Sequence, residues 1–410
     1  MSLLRTLRPT LPILIGASVM LTFSMGLRQS LGIFLQPLTH DLGISVSQFT
    51  LAIAVQNLAW GFLQPFAGAL TVRYGFRPIM MIGAALYVAG LVLMASAHGL
   101  LGVVLGAGLL IGMSLACTAA AIAMSVTARA VPETVRSTAL GIISAAGSLG
   151  ALLSAPIGQV LSQDFGWRMG LAGFVVLSLL MLPAAWFAGR VDKIPLPKPS
   201  SDQIDNVSAG AAVSTAFGNA SFVVMTCAYF VCGMQLVFIT THLPSYLAIC
   251  GMDPMLSAQM LGMIGGFNVL GSLFFGWAGG RWNKLALLGG IYICRSLVLG
   301  WYFMLPPTPA STLVFGALAG FLWLGVGPLV AGAVVEMFGL RWQAMIQGLA
   351  FMSHQLGSFL GAYGGGLIYD SLGSYTLAWR IGVAVGLAAG IVQVAFALIR
   401  PTAPPVLRTA

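Results

Sequence analysis

Three ionisable side chains lie deep inside long apolar runs of this 410-residue chain: Arg28, Arg295 and His354. A charged arginine within an apolar span costs at least about 2.5–3.5 kcal/mol unless its charge is compensated. Its planar guanidinium can donate two parallel hydrogen bonds to a carboxylate. Histidine is the side chain that exchanges a proton near neutral pH. These residue types predict a site that binds an anion in an apolar environment and has a proton carrier available.

The chain offers these arginines no acidic partner, because all nine Asp and Glu residues fall in predicted loops or at predicted helix ends. We therefore expect the counter-ion of Arg28 to be the substrate, a small organic anion. The alternative is that Arg28 bonds backbone carbonyls in a structural role. For Arg295 the same two roles apply, and bracing of neighbouring helices is the stronger expectation.

The two histidines in apolar runs have different expected roles. His354 lies near mid-depth, and it either contacts the substrate and carries the proton or is a neutral histidine hydrogen-bonded between helices. His242 lies nearer the external end of its span, where a gating or interface role is expected.

Uncharged polar residues complete the predicted substrate site. Asn57 shares one helical face with Trp60 and Gln64, whereas the adjacent Gln56 is predicted to turn away from that face. Gln235 and Asn268 lie mid-way along two later spans. Each of these amides is equally interpretable as a hydrogen bond between helices. No catalytic, metal or cofactor motif occurs, and the five cysteines lack zinc-ligand spacing.

The composition identifies the elements that must position these residues. The chain is 59% hydrophobic and 7% charged, against about a quarter charged in soluble domains, which excludes a water-soluble enzyme. A membrane span needs about 20 apolar residues. The sequence predicts an all-α membrane protein whose twelve spans form two pseudo-symmetric six-helix bundles. The predicted spans are 11–37, 46–71, 78–97, 100–128, 136–162, 167–189, 217–248, 256–279, 285–305, 312–335, 342–368 and 377–399.

A polar, proline-containing stretch divides these spans into two sets of six. The predicted organisation is an N-terminal bundle over 1–189, a solvated linker over 190–216 and a C-terminal bundle over 217–410. Fourteen Lys and Arg residues lie on one side of the spans and two on the other, which places both termini in the cytoplasm. This topology signal accounts for most of the net charge of +9, so no nucleic-acid partner is expected, and the basic loops face membrane lipids.

The two halves also repeat at a nearly constant offset. The segment 25–29 aligns with 232–236, which puts Gln235 at the repeat position of Arg28, and Arg73 aligns with Arg281. Gly147 pairs with Gly357, and Trp167 with Trp379. A duplicated six-helix unit is a recurrent transporter plan.

These features resemble the Major Facilitator Superfamily over nearly the whole chain. Its loop signature after the second helix is matched by Gly68, Leu70, Arg73, Gly75 and Arg77, but Val72 replaces the expected acid. The segment around Arg136, Ala139, Gly141, Ala146, Gly147 and Gly150 resembles the monocarboxylate and oxalate–formate antiporter branch.

The resemblance implies a secondary transporter working by alternating access as a monomer in a bacterial inner membrane. Monocarboxylates are the implied substrates, and proton symport, anion exchange and facilitated diffusion all stay open. Gating contacts are expected from Arg73, Arg281, Glu133 and Glu336, the two glutamates replacing the missing acid. It also implies a peripheral position for the ninth helix, which carries Arg295.

The sequence leaves three alternative functions open. The first is an exporter of drugs or other amphipathic compounds on the same fold. The second is a membrane-embedded enzyme, which would need more acid–base groups than His354 supplies. The third is a transport-inactive sensor.

Overall fold

The structure is a computed structural model that describes residues 8–195 and 208–399, and these ranges are helical with no β-strand. The α-helices, in chain order, are α1 (Leu11–Ser30), α2 (Leu35–Leu42), α3 (Val46–Tyr74), α4 (Phe76–Ala95), α5 (Leu100–Val103), α6 (Ile111–Thr118), α7 (Ala120–Ala130), α8 (Glu133–Phe165), α9 (Trp167–Leu179), α10 (Met181–Ala188), α11 (Ala209–Gly218), α12 (Ala220–Ile249), α13 (Pro254–Ala278), α14 (Lys284–Met304), α15 (Pro309–Phe321), α16 (Val326–Phe338), α17 (Gln343–Leu372) and α18 (Thr376–Ile399).

The helices confirm the predicted all-α membrane fold. Each predicted span coincides with a helix, or a run of consecutive helices, whose ends differ from the prediction by a few residues. In the described ranges, eight helical stretches are long and apolar enough to cross a membrane by length and composition. Most spans are single helices, but the first, fourth, sixth and tenth predicted spans are interrupted, which the sequence did not indicate.

The predicted linker is more structured than its composition indicates. A 3₁₀ turn covers Gly189–Lys193, and α11 forms within the later part of the predicted linker, so the prediction of a fully solvated 190–216 segment is wrong. The apolar run 209–213 explains α11, whose Ala212 and Ala216 are fully buried. The central linker residues, 196–207, lie outside the described residues.

The helices fall into two compact units. Unit 1 comprises Met1–Lys198 together with Leu340–Gly348, and unit 2 comprises Pro199–Gly339 together with Leu349–Ala410. Within unit 1, α1 packs mainly on α8, and α6 packs on α3 and α4. Within unit 2, α14 packs on α18, and α13 packs on α15.

Glycines allow one equivalent close approach in each unit. In unit 1 the Thr22 carbonyl occupies the place of a Cβ on Gly150, so α1 and α8 touch backbone to backbone. In unit 2 the Phe230 carbonyl occupies the same place at Gly357, between α12 and α17. Small residues permit such approaches within a membrane. The structural counterpart of Gly357 in unit 1 is therefore Gly150 rather than the predicted Gly147.

Each unit also contains a broken helix at a repeat-related position. In unit 1 the fourth span breaks at Ala119, whose backbone is extended (φ −82°, ψ −162°), between α6 and α7. The Nε2 group of Gln64 donates 2.9 Å to the carbonyl of Ala116, which the break deprives of its helical donor. In unit 2 the tenth span breaks between α15 and α16, and Leu324 N donates 2.8 Å to the Asn268 side chain.

Candidate functional site

Arg28 lies two residues before the end of α1, half-buried within unit 1. Its Nε donates 3.1 Å to Oε1 of Gln56, and its Nη2 donates to Oδ1 of Asn57. The guanidinium carbon lies 5.0 Å from the centre of the Trp60 ring, a cation–π distance. Neutral oxygens and an aromatic face therefore hold the charge in place without cancelling it.

The involvement of Gln56 corrects the prediction that this residue turns away from the face that carries Asn57, Trp60 and Gln64. Gln56 is fully buried, and its Nε2 donates 2.6 Å to the carbonyl of Ala107, which aims its Oε1 at the guanidinium. Sequence spacing places the Gln56 backbone off the stripe of Asn57 and Trp60, but the long side chain reaches back. The sequence signal that could have indicated the contact of Gln56 with Arg28 is the pair of amides at adjacent positions, together with an arginine that has no acidic partner.

One end of the Arg28 guanidinium is open. No hydrogen bond from Nη1 is found among the described residues, and neither of their two salt bridges, Asp41–Arg168 and Lys284–Glu336, involves Arg28. Every acidic residue in the described ranges lies at a helix end or between helices, as predicted. The site therefore has a half-buried positive charge, a spare donor and no internal acid.

Gln235 and Arg295 meet in unit 2. Arg295 is only 1% exposed, and its Nε donates 3.0 Å to Oε1 of Gln235. Nη1 lies 3.4 Å from Sγ of Cys232. The Nε2 group of Gln235 is fixed by Ser296 Oγ at 3.0 Å and by the Gly382 carbonyl at 2.8 Å. Arg295 and Gln235 thus form a network joining α12, α14 and α18.

His354 is half-buried in α17 among aromatic rings. The centre of its imidazole lies 4.6 Å from the ring of Tyr229 and 5.6 Å from that of Phe351. Nδ1 lies 3.4 Å from Oε1 of Gln355 and 3.5 Å from Oγ of Ser358, both neutral groups. The imidazole therefore has polar contacts suited to either a neutral or a protonated ring.

Asn268, the remaining predicted substrate residue, is 7% exposed, and its side-chain oxygen accepts from Leu324 at the break of the tenth span. Unit 2 also contains a mostly apolar cavity of about 220 Å³, bordered by the amide of Gln235, by Gly361 and Gly365 of α17, and by Trp379 of α18. Among the described residues, no group of three or more His, Cys, Asp or Glu could hold a metal ion.

The predicted gating residues lie apart from these networks. Arg73 is exposed over the Tyr74 ring, and Arg281 is exposed over the Trp277 ring. Glu133 is exposed at the start of α8, whereas Glu336 forms a salt bridge with Lys284 inside unit 2.

His242 is buried near the end of α12. Its Nε2 donates 2.8 Å to the carbonyl of Ala362, and its Nδ1 lies 3.3 Å from the Tyr375 hydroxyl. These contacts tie α12 to α17 and to the residue before α18.

Asp192 has a role that sequence reasoning did not anticipate. Its carboxylate accepts from the backbone N–H groups of Phe76 at 2.8 Å and Arg77 at 2.9 Å, at the start of α4. Arg129 donates 2.6 Å to the carbonyl of Ile194. A negative charge at a helix N-terminus is stabilising. The beginning of the predicted linker is therefore bound to unit 1 at the loop where Val72 replaces the expected acid.

Comparison with known proteins agrees with this architecture. Monocarboxylate transporter 11 of Homo sapiens is 25% identical over 399 residues, spanning 93% of this chain and 82% of the relative. An uncharacterized MFS-type transporter of Bacillus subtilis (strain 168), YcxA, is 25% identical over 399 residues, spanning 91% and 93%. The structure of the transporter FucP in the outward conformation superposes with a TM-score of 0.73 at 16% identity, covering 94% of this chain and 98% of that one.

The family model described as the Major Facilitator Superfamily matches residues 14–362. That match covers most of the chain and includes Arg28, Gln235, Arg295 and His354. The fold, the apolar spans and this match agree, and they exclude the reading of the chain as a membrane-embedded enzyme. The protein is a multi-pass membrane transporter that belongs to the Major Facilitator Superfamily.

Proposed function

We propose that this protein is a secondary transporter of small monocarboxylate anions, and that Arg28 is the residue that binds the substrate carboxylate. The observation that carries the proposal is the half-buried Arg28 guanidinium, which has a free Nη1 donor and only neutral partners. A carboxylate suits this group because it matches the geometry of the guanidinium and cancels its charge.

The neighbours of Arg28 support selection of an anion. Gln56 and Asn57 present oxygens to Nε and Nη2, which orients the guanidinium and leaves its remaining edge for the ligand. Trp60 covers one face and adds apolar surface beside the charge. A cationic drug would find no acid in this arrangement, which disfavours the exporter alternative. The name of the human relative, a monocarboxylate transporter, points to the same substrate class.

The anion also supplies a physical reason for transport by alternating access. Burying an uncompensated guanidinium is costly in an apolar environment. Binding of a carboxylate neutralises Arg28, so the loaded carrier passes through an occluded state more easily than the empty one. We further propose that His354 carries a proton with the substrate, since it is the half-buried imidazole within an apolar helix. The topology predicted from the basic loops places both termini in the cytoplasm.

Uptake by purified protein in liposomes tests this function. We expect accumulation of radiolabelled lactate, and we expect Arg28→Ala to reduce it at least about 100-fold while the thermal unfolding midpoint shows that the protein is folded. Arg28→Lys keeps the charge but lacks the planar fork, so an intermediate rate is expected. Arg190→Ala removes an exposed arginine and is the matched control.

Lactate uptake that is unchanged in Arg28→Ala would refute the assignment of Arg28. Absence of uptake for a panel of labelled monocarboxylates by the folded wild-type protein, together with transport of a cationic dye, would favour the exporter.

A further inference from the structure

Arg295 lies in the middle of α14, and its surroundings in unit 2 leave its charge uncompensated. The side chain is 1% exposed. Its two contacts are the amide oxygen of Gln235 and the sulfur of Cys232, neither of which is a carboxylate. The one salt bridge among the described residues of unit 2 joins Lys284 and Glu336 at helix ends. A buried guanidinium without an acid normally requires another source of negative charge.

The network around Arg295 cannot rearrange to supply the missing acceptor. Gln235 already uses both hydrogens of its amide on Ser296 and on the Gly382 carbonyl. This fixes the amide with its single oxygen toward Nε of Arg295. The sulfur of Cys232 is at most a weak acceptor. The Nη2 group finds no acceptor among these partners.

Two buried donors in this region have no acceptor among the described residues. Nη2 of Arg295 and the hydroxyl of Tyr292 are both fully buried and make no hydrogen bond with any of them. Tyr292 precedes Arg295 by one helical turn, and the guanidinium carbon lies 5.4 Å from the centre of its ring, so the two side chains occupy the same side of α14. Buried donors in native structures are almost always satisfied. Two adjacent unsatisfied donors beside an uncompensated cation indicate a bound species that accepts hydrogen bonds and carries negative charge.

We propose that unit 2 holds a chloride ion, bound by Nη2 of Arg295 and the hydroxyl of Tyr292. A water molecule would satisfy the donors but would leave the charge uncompensated. An organic acid is disfavoured because Arg295 and Tyr292 are each only 1% exposed, and a monatomic anion is the smallest species that supplies both an acceptor and a negative charge. The ion is a structural ligand of unit 2, separate from the substrate at Arg28, and the inference does not depend on the proposed substrate.

The experiment measures thermal unfolding of purified protein as sodium chloride replaces sodium isethionate, a salt without a carboxylate, at constant ionic strength. A ligand bound only by the folded state raises the unfolding midpoint as its concentration rises. We expect a saturable increase of several degrees in chloride. We expect Tyr292→Phe, which removes one donor at almost constant shape, to raise the half-saturating chloride concentration about tenfold. Arg295→Gln is expected to abolish the response.

Control variants distinguish this chloride site from other anion sites. They also distinguish failure of this proposal from failure of the transport proposal. Arg28→Gln must retain the chloride response, and Tyr302→Phe, whose hydroxyl instead contacts Thr312, must leave half-saturation unchanged. Bromide-soaked crystals should show anomalous density at Nη2 of Arg295. Equal midpoints in chloride and isethionate would overturn the proposal and indicate water at the site. An undiminished response in Tyr292→Phe, or one lost in Arg28→Gln, would overturn it as well.

Discussion

Asn57 accepts a hydrogen bond from Nη2 of Arg28 through its side-chain oxygen, so a neutral amide occupies the position where an acid would form an internal ion pair. Under the proposed function this neutrality is necessary, because a carboxylate at this position would compete with the substrate. Replacing Asn57 by an acid therefore tests whether Arg28 must lack an internal ion pair in order to bind the substrate.

We expect Asn57→Asp to reduce lactate uptake at least about tenfold without lowering the thermal unfolding midpoint. The new carboxylate would pair with Arg28 and stabilise the empty protein while opposing anion binding. Uptake in liposomes and unfolding of the purified variant measure the two effects. Asn283→Asp, at an exposed helix N-cap where Asp is equally suitable, is the control. Full uptake by Asn57→Asp would argue against substrate binding at Arg28.

The second prediction concerns the break between α6 and α7. Replacing Gln64 by Leu leaves the carbonyl of Ala116 without a donor and the Nε1 group of Trp60 without its acceptor, since Gln64 Oε1 accepts from Trp60 at 3.0 Å. An unsatisfied buried group costs about 1–3 kcal/mol, so the unfolding midpoint should fall. Gln159→Leu, at an exposed position of α8, should leave it nearly unchanged. Equal stability of the two variants would show that the break is satisfied by other means.

The third prediction tests the attachment of the linker to unit 1. Asp192→Ala removes the carboxylate that accepts from Phe76 and Arg77, and loss of such a helix cap costs about 0.5–2 kcal/mol. We expect a lower unfolding midpoint and faster protease cleavage within the linker. Asp164→Ala, which removes an exposed acid near the end of α8, serves as the comparison. Cleavage at the wild-type rate in Asp192→Ala would contradict a holding role for this carboxylate.

The fourth prediction separates substrate binding from proton coupling. We expect His354→Gln to retain exchange of labelled for unlabelled lactate across the membrane, but to lose accumulation driven by a pH gradient, because glutamine cannot carry a proton. His98→Gln, in an exposed loop, should retain both activities. Gradient-driven accumulation that persists in His354→Gln would assign the proton to another group or to the substrate acid itself.

The sequence predicted the spans and the division into two halves, because these depend on hydrophobic runs and on the polar stretch between the two sets of six. It did not predict the helical break at Ala119, since the surrounding residues 116–124 include no glycine or proline. That break depends on a tertiary partner, Gln64, which compensates the lost helical bond. The sequence also placed Gln56 on the wrong face of its helix. Helical spacing locates the backbone of a residue, but it does not show how far a long side chain reaches.

The sequence favoured a structural role for Arg295 and left the role of Asn268 open, and the partners of both residues come from the structure alone. Asn268 is a candidate ligand in the sequence because it is polar and lies mid-way along a span. In the structure its side-chain oxygen accepts from the backbone N–H of Leu324, which needs this acceptor only because the tenth span is broken. Arg295 has the same residue type as Arg28, but it is enclosed by its own unit, whereas Arg28 is half-buried with a free donor. How deeply each arginine is buried depends on three-dimensional packing, which the spacing of residues along the chain does not reveal.

The two broken helices have a consequence for how the chain is synthesised. Gln64 precedes Ala116 along the chain, and Asn268 precedes Leu324. Because the ribosome delivers the N-terminal part first, the amide that satisfies each break is already in the membrane when the broken helix emerges. Each broken span can therefore satisfy this backbone group during translation, without waiting for a residue that is made later.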